Sequence, residues 1–109
     1  MRIWDIPPEQ LCRNHLLGEH RELHAIWSIL IHHKKGYAHH PETVRWKGKQ
    51  KALFLRHEAL VKEMIRRGYH HQSPLETRYA TGDDTQDILV DSYEDQVRLL
   101  RQKKCDCLV

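Results

Sequence analysis

Asn14-His15-Leu16-Leu17-Gly18-Glu19-His20-Arg21-Glu22-Leu23-His24-Ala25-Ile26-Trp27-Ser28-Ile29-Leu30-Ile31-His32-His33 is the stretch that decides the fold class. At 3.6 residues per turn, Leu16, Leu23, Trp27 and Leu30 fall in one stripe. The pattern predicts a long amphipathic helix, capped by Asn14, running to about His33 and stopped by Gly36. Glu22 lies about 100° from that stripe, at the boundary of core and solvent. Gly18 is one turn before Glu22 and His15 two turns before it, on nearly the same line. Glycine inside a helix costs about 1 kcal/mol relative to alanine. One gain is close approach, by a substrate sugar or by the chain's own N-terminus. The plainer alternative is an ordinary surface acid beside a helix–helix contact.

The flanking sequence extends the helical pattern. A second helix should start near Pro41 or, after a break at Gly48, near Lys49. Leu53, Leu60 and Met64 would line its buried face, with Phe54, Val61 and Ile65 beside it. Arg66-Arg67-Gly68 is a stop signature: cations in the last turn, then glycine. Residues 70–90 carry turn chemistry and predict a long loop. A third helix is expected from Ser92 to about Lys103, anchored by Val97 and Leu100, followed by a loose tail from Cys105 to Val109. The fold class is therefore all-α, a small bundle of about three helices with a short N-terminal segment packed against it. The 109 residues make one helical domain. Residues 1–72 form a basic core of the domain, and 73–109 a loop, a short helix and a tail.

Charge is unevenly spread. Residues 1–71 hold 13 Lys/Arg against 7 Asp/Glu, whereas 72–109 hold 5 against 8. All ten histidines lie in the basic part. From Lys34 to Lys51 there are six Lys/Arg and one acid, with Tyr37 and Trp46 interleaved. Such a run suits a phosphate backbone and exposed bases, or is simply a solvated charged face. Its candidate contacts are His39, His40, Arg45, Trp46, Lys47 and Lys49. The longest apolar stretch, Ala25–Ile31, is too short to span a membrane. Arg2 leads into Ile-Trp-Asp-Ile-Pro-Pro rather than a leader peptide. Cys12, Cys105 and Cys107 form no disulfide framework, which suits a reducing cytoplasm.

The start of the chain, Met1-Arg2-Ile3-Trp4, is the second chemical feature. Removal of an initiator methionine requires a small second residue, so Met1 should stay ahead of Arg2. An α-amine is a much weaker base than lysine, and a useful fraction is unprotonated and nucleophilic at neutral pH. Ile3, Trp4 and Ile6 argue for a buried, ordered segment, because an indole favours burial.

Met-Arg-Ile-Trp, then His15-Leu16, then Glu19 and Arg21-Glu22-Leu23, resembles the pyrimidine-dimer DNA glycosylase family, the phage dimer-cleaving enzyme and its bacterial relatives. Gly36-Tyr37-Ala38-His39-His40-Pro41-Glu42 and Arg66-Arg67-Gly68-Tyr69 are similar to the bacterial members. The likeness covers residues 1 to about 75. It implies a DNA-repair glycosylase with AP-lyase activity, in which the N-terminal α-amine attacks C1′ of deoxyribose at a damaged pyrimidine. A Schiff base forms, and β-elimination cuts the strand. On that reading Met1 is the nucleophile and Glu22 the assisting carboxylate. Arg2, His15 and Arg21 fall on positions that touch the DNA or the active site. The partner is damaged double-stranded DNA, no cofactor is needed, and the protein acts as a monomer.

This sequence departs from the phage pattern in three places. Met1 stands where the phage enzyme exposes a small residue. Ala25 replaces a basic residue. The chain ends in Lys103-Lys104-Cys105-Asp106-Cys107-Leu108-Val109 rather than an aromatic-rich tail. His32-His33 and His39-His40 invite a metal reading. Helical neighbours such as His32 and His33 point about 100° apart and do not chelate together, and no site residue is assigned to a metal. The rival reading is a non-catalytic helical nucleic-acid-binding protein that uses the same basic stretch and leaves Glu22 idle.

Overall fold

The structure is a computed structural model that describes residues 1–70 and 73–109. Helix α1 spans Arg13–His32, α2 Pro41–Val44, α3 Gln50–Arg66 and α4 Tyr93–Gln102, with single 3-10 turns at Pro8–Gln10 and Thr77–Tyr79. Among the described residues there is no strand. Three of the four helices are the long ones expected. The fourth, α2, arises because both candidate start signals are used. Pro41 opens α2, where the missing N–H costs nothing, and His40 Nδ1 accepts the Glu42 N–H at 3.1 Å. Gly48, at φ 73°, then turns the chain into α3.

Leu16, Leu23, Ile26 and Trp27 of α1 pack on Ala52, Leu53, Leu60 and Met64 of α3. Ile3, Trp4, Ile6 and Leu11 of the N-terminal segment close one side, and Leu100 of α4 joins the same cluster. The expected stripe is therefore buried, except that Leu30 is only half-buried. Two boundaries of α1 differ from the sequence reading. Cys12, not Asn14, is the N-cap of α1. The helix ends because His33 itself adopts the left-handed conformation, φ 51° and ψ 42°, which histidine tolerates better than most residues. The Lys34 N–H then closes on the Ile29 carbonyl at 3.1 Å, so Gly36 is not the terminator. Gly68, at φ 83°, does end α3 in the expected way.

The segment after α3 holds the bundle together. Lys49 gives α3 no side-chain cap. The N–H groups of Lys51 and Ala52 instead donate to the carbonyls of Thr81 and Asp83, at 2.8 and 3.0 Å. These bonds satisfy donors that a helix start leaves open. The Asp83 N–H returns to the Gly48 carbonyl at 2.9 Å. A Cβ on Gly82 would stand 2.2 Å from that carbonyl oxygen, so only glycine fits. The His-Gln-Ser-Pro turn begins on residues 71 and 72, outside the described residues. Ser92 caps α4 by accepting the Asp95 N–H at 3.1 Å.

The C-terminal tail is not loose. Its Leu108 N–H donates to the Gln10 carbonyl at 2.7 Å, and Cys107 and Val109 pack against the core cluster. Small apolar side chains and one backbone bond are enough to seat it. No described helix is long and apolar enough to cross a membrane.

Candidate active site

Two elements place Met1 and Glu22 on one cleft. The first is the N-terminal segment, which is fastened along its length. Glu19 accepts the Trp4 N–H at 2.9 Å, Arg45 donates to the Ile3 carbonyl at 2.9 Å, and Gln96 accepts the Asp5 N–H at 2.8 Å. The second is α1, which carries Glu22 at the half-exposed edge of its buried stripe. Met1 and Glu22 line one open cleft of about 480 Å³, together with Lys34, Tyr37 and His40. Thr43 Oγ1 lies 3.5 Å from the Met1 sulfur on the inner side. The space over Gly18 is open, with nothing within 4 Å of a Cβ placed there. Neither a helix contact nor the N-terminus fills it, so this side of α1 is accessible one turn before Glu22.

A second, larger cleft of about 760 Å³ shares Ile29 and Lys34 with the first. Lys35, His39 and Lys47 add to its rim, so the two clefts form one continuous cationic surface. Tyr37 stands beside it with 69% of its surface exposed. Its φ is 58°, an uncommon conformation for a bulky residue.

The other expected contacts divide. Arg21 is exposed on α1. Arg2 is half-exposed, over the Trp4 ring at 4.8 Å and paired with Asp91 at 2.8 Å. Arg45, Trp46 and Lys49 do not face outward. Arg45 is 3% exposed and donates to Glu42, Asp5 and the carbonyls of Ile3 and Ile88. Trp46 is 2% exposed and donates its indole N–H to Glu42. Lys49 is paired with Asp87 at 2.7 Å and Gln86 at 3.1 Å. Every donor of the enclosed Arg45 guanidinium has an acceptor, which offsets the cost of burying it.

His15 has neighbours that the sequence did not announce. Its Nδ1 lies 3.1 Å from Cys12 Sγ and 3.2 Å from Cys107 Sγ, and its ring meets Trp4 edge-on at 5.8 Å. Burial, aided by the charge of Lys103, lowers its pKa and favours neutral imidazole. Cys12, His15, Cys105 and Cys107 bring their four ligand atoms within 4.8 Å of one another. A second group, His20, His24 and His57, does the same. His24 Nε2 is 3.2 Å from Nε2 of both His20 and His57, and His57 Nδ1 is 3.0 Å from Glu58. The adjacent pairs His32-His33 and His39-His40 belong to neither group among the described residues.

Glu19 carries no assigned role in the sequence reading, yet it organises the site. It is 2% exposed, chelated by Arg56 at 2.6 and 3.0 Å, and it holds the Trp4 backbone. Burial pushes its carboxyl above the usual carboxylate range, and the Arg56 guanidinium works against that. The signal was legible: Glu19 lies between Leu16 and Leu23 on the core stripe. A charge there needs a buried partner.

Met1 and Glu22 thus share one open cleft, rimmed by Lys34 and His40, on a helical scaffold. The chain belongs to the pyrimidine dimer DNA glycosylase family, whose sequence profile matches residues 1–77. That family is one of DNA-repair glycosylases, so the protein is an enzyme by kinship and DNA its substrate class. No curated protein and no solved structure matches the chain. Helix α4 and the tail lie beyond the matched residues.

Proposed function

We propose that the protein is a DNA glycosylase with AP-lyase activity, acting as a monomer on damaged pyrimidines in double-stranded DNA, with the Met1 α-amine as nucleophile. The observation that carries the reading is the cleft shared by Met1 and Glu22. The neutral amine attacks C1′ as the C1′–N bond to the base breaks, and the base leaves with the bonding pair and a proton. The amine loses its protons as the sugar ring opens, giving a Schiff base at C1′. Removal of a C2′ proton then expels the 3′ phosphate and cuts the strand. Glu22 stabilises positive character at the sugar and relays protons. Lys34, Lys47, Arg2, Arg21 and His39 hold phosphates around the site, and His40 completes the cleft wall. Extrusion of a nucleotide is least costly at a damaged site, and the exposed Tyr37 ring offers a face to an unstacked base.

Borohydride trapping on abasic-site DNA tests this. Wild-type protein should form a covalent adduct at its N-terminal peptide. Glu22→Gln should bind the same DNA almost normally and lose about 10²-fold or more in turnover, the scale of a main acid/base or electrostatic group. An adduct located on a lysine would reject Met1 as nucleophile. Binding without any adduct would favour the non-catalytic nucleic-acid binder.

A further inference from the structure

We propose that Cys12, His15, Cys105 and Cys107 form a structural zinc site that pins the C-terminal tail to the start of α1. The set is Cys3His, the ligand chemistry of closed structural zinc sites. It is assembled from two short pairs, Cys12-x2-His15 across the first turn of α1 and Cys105-x-Cys107 in the tail. A tetrahedron with Zn–S about 2.3 Å and Zn–N about 2.05 Å has edges of about 3.8 Å between sulfurs and about 3.6 Å between sulfur and nitrogen. The His15 Nδ1 contacts, 3.1 and 3.2 Å to Cys12 and Cys107, are within a few tenths of an ångström of those edges. No pair among the four ligand atoms exceeds 4.8 Å.

The surroundings also fit. Cys107 Sγ accepts the Cys12 N–H at 3.1 Å, the kind of N–H···S bond that steadies a zinc-bound thiolate. Cys12 stands at the N-terminus of a 20-residue helix, where the macrodipole favours a thiolate. Binding releases three thiol protons and leaves three thiolates and a neutral imidazole around Zn²⁺, a net charge of −1. A disulfide would use two of the three thiols and leave the third and the imidazole without a common purpose. All four coordination positions are filled by protein, so the metal is structural rather than catalytic. It would tie α4 and the tail, which lie beyond the family-matched residues, to the helix that carries Glu22. The His15 ring, fixed by the metal, would back the Trp4 indole and so steady the segment that ends in Met1.

The test uses the full-length chain, purified with reductant and without chelator, then loaded with Co²⁺ in place of zinc. The expected results are one zinc per chain as isolated, an intense thiolate-to-cobalt charge-transfer band, and tetrahedral d–d absorption. Cys105→Ser with Cys107→Ser should abolish the charge-transfer band, while His15→Gln should weaken it and lower zinc occupancy. The wild-type spectrum decides the matter even if these variants fold poorly. Cobalt bound without a sulfur charge-transfer band, as at the His20, His24 and His57 group, would overturn the proposal. So would no bound metal, or a mass two hydrogens lighter that marks a disulfide. Because the readout is metal and not DNA cleavage, it stands or falls apart from the glycosylase reading.

Discussion

Residues 34–40 and residues 45–49 are two halves of one basic run, and the fold treats them in opposite ways. In the first half, Lys34, Lys35 and His39 are exposed along the two joined clefts. In the second, Arg45, Trp46 and Lys49 turn inward, and Lys47 alone keeps its charge at the cleft rim. What separates them is the presence of partners. Residues 86–88 lie against the second half, and Asp87 meets Lys49 there. The Ile88 carbonyl meets Arg45 in the same way. Glu42 holds Arg45 and Trp46 from within the run, but Asp5, Gln86, Asp87 and Ile88 are about forty residues away, and a charge run read alone cannot report them.

The largest expected effect lies in the inward half. Arg45→Ala leaves Glu42 buried without its guanidinium and frees the Ile3 carbonyl from its donor. Breaking a buried pair of this kind costs about 3–5 kcal/mol. Urea unfolding should show that loss, with activity falling along with the folded fraction. A loss below about 1 kcal/mol, typical of exposed pairs, would mean that Arg45 is a surface charge after all.

The outward half predicts the opposite signature. Lys34→Glu with Lys47→Glu should leave the unfolding midpoint nearly unchanged. DNA affinity at low salt should drop on the order of 10-fold or more, or about 1.4 kcal/mol per decade. The slope of log affinity against log salt should become shallower by about two units, because two phosphate contacts no longer release counterions. Lys49→Glu is the contrast: it should destabilise the fold before it touches binding. If Lys34 and Lys47 reversal leaves affinity intact, the DNA lies on another face.

The same distinction explains how much was legible beforehand. The α1 stripe, the Gly68 stop, the Ser92 start and the buried N-terminal segment follow from local periodicity and punctuation. Ile3, Trp4 and Ile6 are apolar enough to hold the terminus down, and Met1 and Glu22 line one cleft. The fate of Arg45, the bond from Gln96 to Asp5, and the meeting of Cys12 with Cys107 depend on pairs 40, 91 and 95 residues apart. No helical period encodes such separations. Glu19 is the intermediate case: its place on the core stripe announced that a partner must exist, but not that it would be Arg56.

The end of α3 supplies a graded example between the two halves, and the smallest predicted effect. Glu63 is buried, and its carboxylate binds both Arg66, which is exposed, and Arg67, which turns inward to donate to the Leu11 carbonyl. The hydrogen bond from Arg66, with that from Arg67, holds the Glu63 carboxyl down to about 2 against an ordinary value of 4.5. The folded state therefore binds this proton less readily than the unfolded chain does. The resulting stabilisation is complete above the unfolded value and fades as pH falls from about 4.5 through about 2. Because Arg66 stands in water, the contribution should be about 1 kcal/mol or less. The measurement is the difference in unfolding free energy between wild type and Glu63→Gln across acid pH. It should be flat above about pH 5 and shrink toward pH 2. A difference that stays constant down to pH 2 would mean that Glu63 acts by packing and shape. The end of α3 would then resemble the apolar core more than either half of the basic run.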